Sequence, residues 1–175
     1  MAIDPLTDIA CDAALRRLAN GDTDALTVIY NKLGRQIFLL SYSILGDSYA
    51  AEDVMQEVFI RLVEHATQYR HAEGYARAYV LKITRNLSLN TLEKKKREQG
   101  REIPIDEDFP WRDSPPLTAL EALSLLDEDA RQIVVLKLDG GMPHRKIAAL
   151  LGISTAACEK KYRRALEKLK KYYLT

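Results

Sequence analysis

Ile147-Ala148-Ala149-Leu150-Leu151-Gly152-Ile153-Ser154 is the stretch whose reading decides the fold of this chain. Two helices that cross closely need a small residue at the crossing, and Ala148 supplies one. The turn between them needs a residue that tolerates positive φ, and Gly152, four positions on, supplies it. Ser154 then caps a second, longer helix. Along it Cys158, Tyr162, Ala165, Leu166 and Leu169 fall on one side, expected to be buried. Thr155, Glu159, Lys160, Arg163, Arg164 and Lys168 fall on the other. Seven basic residues lie between Lys160 and Lys171. A plain helical hairpin has no need of them, whereas a helix-turn-helix that seats its second helix in a major groove does. The expected DNA contacts are therefore Ser154, Thr155, Glu159, Lys160, Arg163, Arg164 and Lys168. The cations suit phosphates or guanine edges, and Glu159 suits a cytosine amino group.

Working outward, Pro143 fits the first turn of the preceding helix, where a missing N–H costs nothing. Asp139-Gly140-Gly141 breaks the helix before that, which Asp127 caps and which carries Val134 and Leu138. Upstream, Pro104, Pro110, Pro115 and Pro116 share a short stretch with Asp106, Glu107, Asp108 and Asp113. Proline fixes φ and removes a donor, so this stretch cannot be one helix. It reads as a linker over residues 98–116, with Phe109 and Trp111 as anchors. The domains are then expected at 1–97 and 117–175.

The first domain shows no alternating strand pattern, and its periodicity is helical throughout. Ile9, Leu15 and Leu18 mark a short helix behind Asp8. Leu26, Ile29, Tyr30, Leu33, Ile37, Leu40 and Ile44 trace a second that stops at Gly46. Asp47 or Ser48 caps a third, with Val54, Val58 and Leu62 stacked at i, i+4 and i+8. Tyr75, Tyr79, Ile83 and Leu87 line a fourth, which ends in Lys94, Lys95, Lys96 and Arg97. The fold class expected is all-α: two small helical domains joined by a proline-rich acidic linker, the second a helix-turn-helix domain.

The net charge of +1 conceals four blocks: −4 over residues 1–78, +5 over 79–101, −8 over 102–130 and +8 over 131–175. The two basic blocks are where phosphate contacts are expected. No apolar run approaches the ~18–20 residues that span a bilayer. Residues 1–7 carry no secretion pattern. Cys11 and Cys158 form no ligand motif and read as free thiols in a reducing compartment. A cytoplasmic protein with no metal and no cofactor is expected. His65, His71 and His144 are scattered without nucleophile-base or ligand spacing, and no phosphate-binding glycine loop occurs, so catalysis is not expected.

Ala51-Glu52-Asp53-Val54-Met55-Gln56-Glu57-Val58-Phe59-Ile60-Arg61-Leu62 resembles the core-polymerase-binding motif of the extracytoplasmic-function (ECF, group IV) bacterial sigma factors. Tyr79-Val80-Leu81-Lys82-Ile83-Thr84-Arg85-Asn86 resembles their helix that melts and reads the promoter −10 element. Leu126–Lys137 and the helix-turn-helix resemble their second domain, which reads the −35 element. The resemblance runs in the family's order over nearly the whole chain. It implies binding of core RNA polymerase through Asp53, Gln56, Glu57, Phe59 and Leu62. It implies −10 contacts from Tyr69, Tyr75, Tyr79, Lys82, Arg85, Asn86 and Asn90. A base flipped from that element would lodge in the loop at Thr67–Glu73. Besides polymerase and promoter DNA, it implies an anti-sigma factor as a partner and no membrane insertion by this chain. The sequence departs from the family pattern at Tyr79, where tryptophan is usual, and at Asn90, Glu93, Lys146 and Glu159. Tyr79 keeps an aromatic face for stacking. Lys146 and Glu159 change charge near the DNA face, which bears on promoter choice. A stand-alone helix-turn-helix repressor would need a dimer seam and a palindromic site, and no heptad stretch offers the seam.

Overall fold

The computed structural model describes residues 5–70, 76–99 and 117–174. Among them are eight α-helices: α1 (Pro5–Ala19), α2 (Ala25–Leu45), α3 (Ser48–Glu64), α4 (Ala76–Gln99), α5 (Leu117–Ser124), α6 (Glu128–Leu138), α7 (His144–Leu151) and α8 (Thr155–Leu174). A short 3₁₀ turn at Ala66–Gln68 follows α3. The described residues contain no strand, and the all-α class holds. The prolines and acidic residues of the 100–116 stretch, with Phe109 and Trp111, lie outside the described residues, as do Tyr75 and His71.

Helix α2 is the axis of the N-terminal bundle, and α1, α3 and α4 pack around it. Ile29, Leu33, Ile37 and Leu40 are fully buried, so the expected apolar stripe is its core face. Tyr30, expected on that stripe, is 39% exposed. Gly46 closes α2 with φ 65°, donating its N–H to the Tyr42 carbonyl at 2.8 Å. A left-handed residue at this position is cheapest as glycine. The chain turns at once into α3, where the Asp47 Oδ1 accepts from the Ala50 N–H at 3.1 Å. The other Asp47 oxygen takes the Lys95 ammonium at 2.5 Å, which ties the start of α3 to the far end of α4. Burial pushes the Asp47 carboxyl up, but the Lys95 and Ala50 hydrogen bonds outweigh it and hold the group below its ordinary range.

Helix α1 differs from expectation. It begins at Pro5, so Asp8 sits in its first turn and is not its cap. The Asp8 carboxylate instead accepts from the Arg77 backbone N–H at 3.0 Å, one of the N-terminal donors of α4 that the helix itself leaves unpaired. Ile9 is 64% exposed and does not join the core.

In the C-terminal part, Asp127 caps α6 by accepting from the Ala130 N–H at 2.9 Å. Pro143 stands at the N-cap of α7, one position earlier than expected, with an extended backbone. Val134 is buried in α6, whereas Leu138 points out. The five consecutive residues Gln132–Leu136 are all buried, so α6 is covered round its whole circumference. Helices α7 and α8 cover one side, and α2 covers the other.

Candidate functional site

Helix α8 is built to present one face. Only Cys158 and Ala165 are buried along it. Gly152 closes α7 with φ 68°, and the Ile153 N–H reaches back to the Ala148 carbonyl at 3.0 Å. Ala148 is buried at the crossing, and the Ser154 Oγ accepts from the Ala157 N–H at 3.1 Å. Turn and cap have the geometry of a helix-turn-helix. Ser154, Thr155, Glu159, Lys160, Arg163, Arg164 and Lys168 are all exposed. Besides the capping Ser154, two are partly engaged within the chain. The Lys168 ammonium hydrogen-bonds to the Leu125 carbonyl at the end of α5, and Glu159 lies 3.9 Å from His144 Nδ1. Lys168 thus serves as a tie between α8 and α5, which the sequence did not show. Leu166, expected on the buried side, is 36% exposed. Burial, with help from the Lys137 charge, pushes the His144 imidazole below its ordinary value despite Glu159.

Helix α4 places Lys82, Asn86 and Asn90 on an exposed face, with Tyr79 and Arg85 half-buried beside them. Buried Thr84 and Ser88 turn their hydroxyls back to carbonyls one turn earlier, and the Ser88 and Ser41 hydroxyl oxygens lie within hydrogen-bond reach at 3.2 Å. Tyr69 packs on Tyr79 with ring centroids 5.0 Å apart, and its hydroxyl donates to Asp12 at 2.7 Å. Burial first, then that bond and the Asp12 charge, drive the Tyr69 hydroxyl far above its ordinary range, so it stays a donor. Tyr69, Tyr79, Lys82, Arg85 and Asn86 come together on one wall of a cavity of about 480 Å³. The same cavity is lined by Lys146, Ala149 and Leu150 of α7 and by Met142 just before it.

Helix α3 carries the third face. Asp53 and Gln56 are exposed, Glu57 is half-buried, and Glu57 holds Arg61 at 2.8 Å one turn on. The expected apolar flank needs a correction. Leu62 is 1% exposed and belongs to the core, so it cannot touch a partner. Phe59 is half-buried against Tyr30, with ring centroids 5.7 Å apart. The apolar residues that share the open face are Ile60 and Val63, 51% and 42% exposed. They lie seven and ten positions after Asp53, the spacing that keeps side chains on one face of a helix.

Two family models match the chain: Sigma-70 region 2 over residues 29–98, and Sigma-70, region 4 over residues 117–169. The chain belongs to the sigma-70 family. Its relatives include extracytoplasmic-function sigma factors, and it is one of them. It is 28% identical over 169 residues to the ECF RNA polymerase sigma factor SigE of Mycolicibacterium smegmatis, covering 88% of this chain and 65% of that one. It is 22% identical over 170 residues to the ECF RNA polymerase sigma factor SigK of Mycobacterium tuberculosis, covering 91% of each. In fold it is similar to the sigma factor RpoE bound to the anti-sigma factor NepR from Bartonella quintana. That match has a TM-score of 0.67 and 20% identity, over 82% of this chain and 94% of the other. It is also similar to CnrH in complex with the cytosolic domain of CnrY, with a TM-score of 0.65 and 21% identity over 94% and 97% of the two chains. A sigma factor of this kind directs promoter-specific transcription initiation, binding core RNA polymerase and promoter DNA.

With the regions named, α3 and α4 fall in region 2 and α6, α7 and α8 in region 4. Three contacts between the regions were not visible in the sequence. The Arg85 Nε donates to the Gln132 Oε1 at 2.9 Å, Arg77 Nη1 donates to the Gly140 carbonyl at 3.1 Å, and Arg35 Nε lies 3.5 Å from Asp139. Burial and desolvation by this contact lower the Arg85 guanidinium and raise the Asp139 carboxyl. Among the described residues no helix is long and apolar enough to cross a membrane, and no cluster of His, Cys, Asp or Glu could hold a metal ion.

Proposed function

We propose that this sigma factor is a group IV member that divides its work among the three faces. Residues 1–97 form one functional unit, 98–116 a connection and 117–175 the second unit. On α3, Asp53, Gln56 and Glu57, flanked by Ile60, Val63 and the edge of Phe59, dock on a basic, partly apolar surface of core polymerase. Tyr79, Lys82, Arg85, Asn86 and Asn90 of α4, together with Tyr69 and Tyr75 earlier in the sequence, capture the opened −10 strand. Aromatic stacking contributes about 1–3 kcal/mol per base, enough to hold a melted strand and too little to open a duplex alone. On α8, the Ser154 end enters the −35 major groove, with Thr155, Glu159 and Lys160 nearest the bases and Arg163, Arg164 and Lys168 nearest the phosphates. The chain performs no catalysis itself. It works in the cytoplasm, where polymerase and promoter are, and an anti-sigma factor holds it off them.

The observation that carries this reading is the opposed character of the faces. DNA would repel the acidic stripe of α3 and attract the cations of α4 and α8, so the chain is built to join a protein partner to DNA. Two modest DNA contacts held at fixed spacing by polymerase reinforce each other through effective concentration.

Run-off transcription with purified bacterial core polymerase on a promoter pool tests it. Start sites that appear only with the protein, and vanish on Gln56→Ala with Glu57→Ala, are the expected result. Silence with several cores, together with tight binding of the free protein to a palindromic duplex, would establish a stand-alone repressor instead.

A further inference from the structure

Region 2 and region 4 meet round a hollow of about 480 Å³. That size lies within the roughly 300–1,000 Å³ of sites that hold small molecules. Among the described residues four cations line it: Arg70, Lys82 and Arg85 from region 2, and Lys146 from α7. No carboxylate is among its described lining residues. The two acids that act on Arg85 are engaged elsewhere. Asp129 takes Lys161, and Glu128 accepts from the Gln132 amide at 3.3 Å. Arg85 is held beside the hollow by its Nε bond to Gln132, which uses one of its five donors. Lys146 is one of the positions at which the sequence departs from the family pattern, and it adds a cation from region 4. Tyr69 and Tyr79 supply the rest of the chemistry. The Tyr69 hydroxyl is engaged by Asp12, so its contribution to the hollow is its ring, centred 5.0 Å from that of Tyr79. Ala149 and Leu150 add apolar surface from α7.

An aromatic pair beside four converging cations is complementary to a ligand that joins a flat ring to concentrated negative charge. A nucleic-acid strand spreads its charge along its length, one phosphate per nucleotide. Four cations round one hollow match charge gathered on a single molecule. We propose that the hollow is a binding site for a purine nucleoside triphosphate, its ring laid on the tyrosines and its phosphates held by Arg70, Lys82, Arg85 and Lys146. Burial outweighs the pull of Asp129 and Glu128 and lowers the Arg85 guanidinium, so a phosphate there would supply counter-charge that the hollow lacks. The site also draws on Tyr79 and Lys82, so a bound nucleotide and an opened −10 strand contend for the same residues. That competition rests on the reading of those two as −10 contacts; the site itself does not.

Isothermal titration calorimetry of the full chain at about 0.15 M salt tests the site, with ATP, adenosine and inorganic tripolyphosphate as probes. ATP is expected to bind saturably, one molecule per chain. Adenosine lacks the phosphates and tripolyphosphate lacks the ring, and each is expected to bind at least about tenfold more weakly. Lys146→Glu, which reverses one of the four charges, is expected to weaken ATP about tenfold or more. Lys170→Glu makes the same charge change on the exposed face of α8, outside the hollow, and is expected to stay within about twofold of the wild type. Circular dichroism checks that each variant is folded. Should Lys146→Glu not be, Ala149→Glu places a carboxylate on the same wall and is expected to weaken ATP in its stead. Absence of saturable binding, equal losses in Lys146→Glu and Lys170→Glu, or tripolyphosphate binding as tightly as ATP overturns the site. In fluorescence anisotropy, ATP is expected to displace a mixed-sequence single-stranded 12-mer. ATP that binds in a Lys146-dependent way and leaves the strand in place keeps the site and overturns the reading of Tyr79 and Lys82 as −10 contacts.

Discussion

Helices α4 and α8 are the most cationic of the described helices, and they are held in opposite ways. Helix α4 is built into its region: Ala76, Arg77, Val80, Leu81, Thr84 and Ser88 are all buried, and Arg77 and Arg85 reach from it to region 4. Helix α8 lies on the rim, with only Cys158 and Ala165 buried over 20 residues. The difference suits the two forms of DNA. A helix that enters the groove of an intact duplex must stand proud of its domain. A helix that receives a strand already opened can be a wall of the bundle.

The comparison is broken most severely by truncating the two helices at their leucines. Leu81→Ala removes a side chain 1% exposed and should destabilise the fold by about 2–5 kcal/mol. Leu166→Ala, 36% exposed in the rim helix, should change stability by less than about 0.5 kcal/mol. Urea titrations of both variants measure it, and equal losses would mean that α8 is packed as tightly as α4.

Next in size is duplex binding by the free protein. Arg163→Ala with Arg164→Ala should lower affinity for a −35-type duplex about tenfold and reduce the log–log salt slope by about 2. Lys82→Ala with Asn86→Ala should leave that binding unchanged and reduce open-complex formation with polymerase, read by permanganate reactivity. Loss of duplex binding in the second pair would make α4 a duplex reader and erase the distinction.

The caps give a smaller effect. Ser154→Ala removes the acceptor for the Ala157 N–H and should cost region 4 about 1 kcal/mol, read as a lower thermal midpoint. The smallest effect is a pH dependence confined to region 4. Burial depresses His144 below its unfolded value of 6.5, so protonation favours the unfolded chain. Its contribution is fully present above pH 6.5 and is lost as the pH falls below that and through the folded value. The thermal midpoint of the wild type should fall between pH 7.5 and pH 5.5, and that of His144→Gln should fall less. Identical shifts in the two proteins would remove His144 as the cause.

These differences also explain what could be read in advance. The caps at Asp47, Asp127 and Ser154 and the glycine stops at Gly46 and Gly152 depend on neighbours within a few residues, so the sequence displays them. The helix-turn-helix is legible for the same reason. Of the two apolar residues expected on the open face of α3, Leu62 is buried and Phe59 half-buried, while Ile60 and Val63 stand exposed. Helix α3 packs against both α2 and α4, which widens its buried arc and draws those two residues inward. The role of Asp8 is invisible locally because its bond to the Arg77 N–H spans 69 positions. The contact between the regions left no trace in periodicity. Its polar part is made by a glutamine, three arginines, an aspartate and a glycine carbonyl, groups that on a sequence look like solvated surface.

One last consequence lies in the two cysteines. Cys11 lies on α1 in the N-terminal bundle and Cys158 on α8 in region 4, both fully buried. Burial, with Asp8 adding to it, pushes the Cys11 thiol to about 11, and burial with Glu159 raises Cys158. An electrophile therefore meets no thiolate on the folded protein and must wait for a fluctuation to bare one. The chain thus carries two internal clocks, one in the N-terminal bundle and one in region 4. Their alkylation rates, followed side by side by mass spectrometry, would time how often each half of the molecule comes apart on its own.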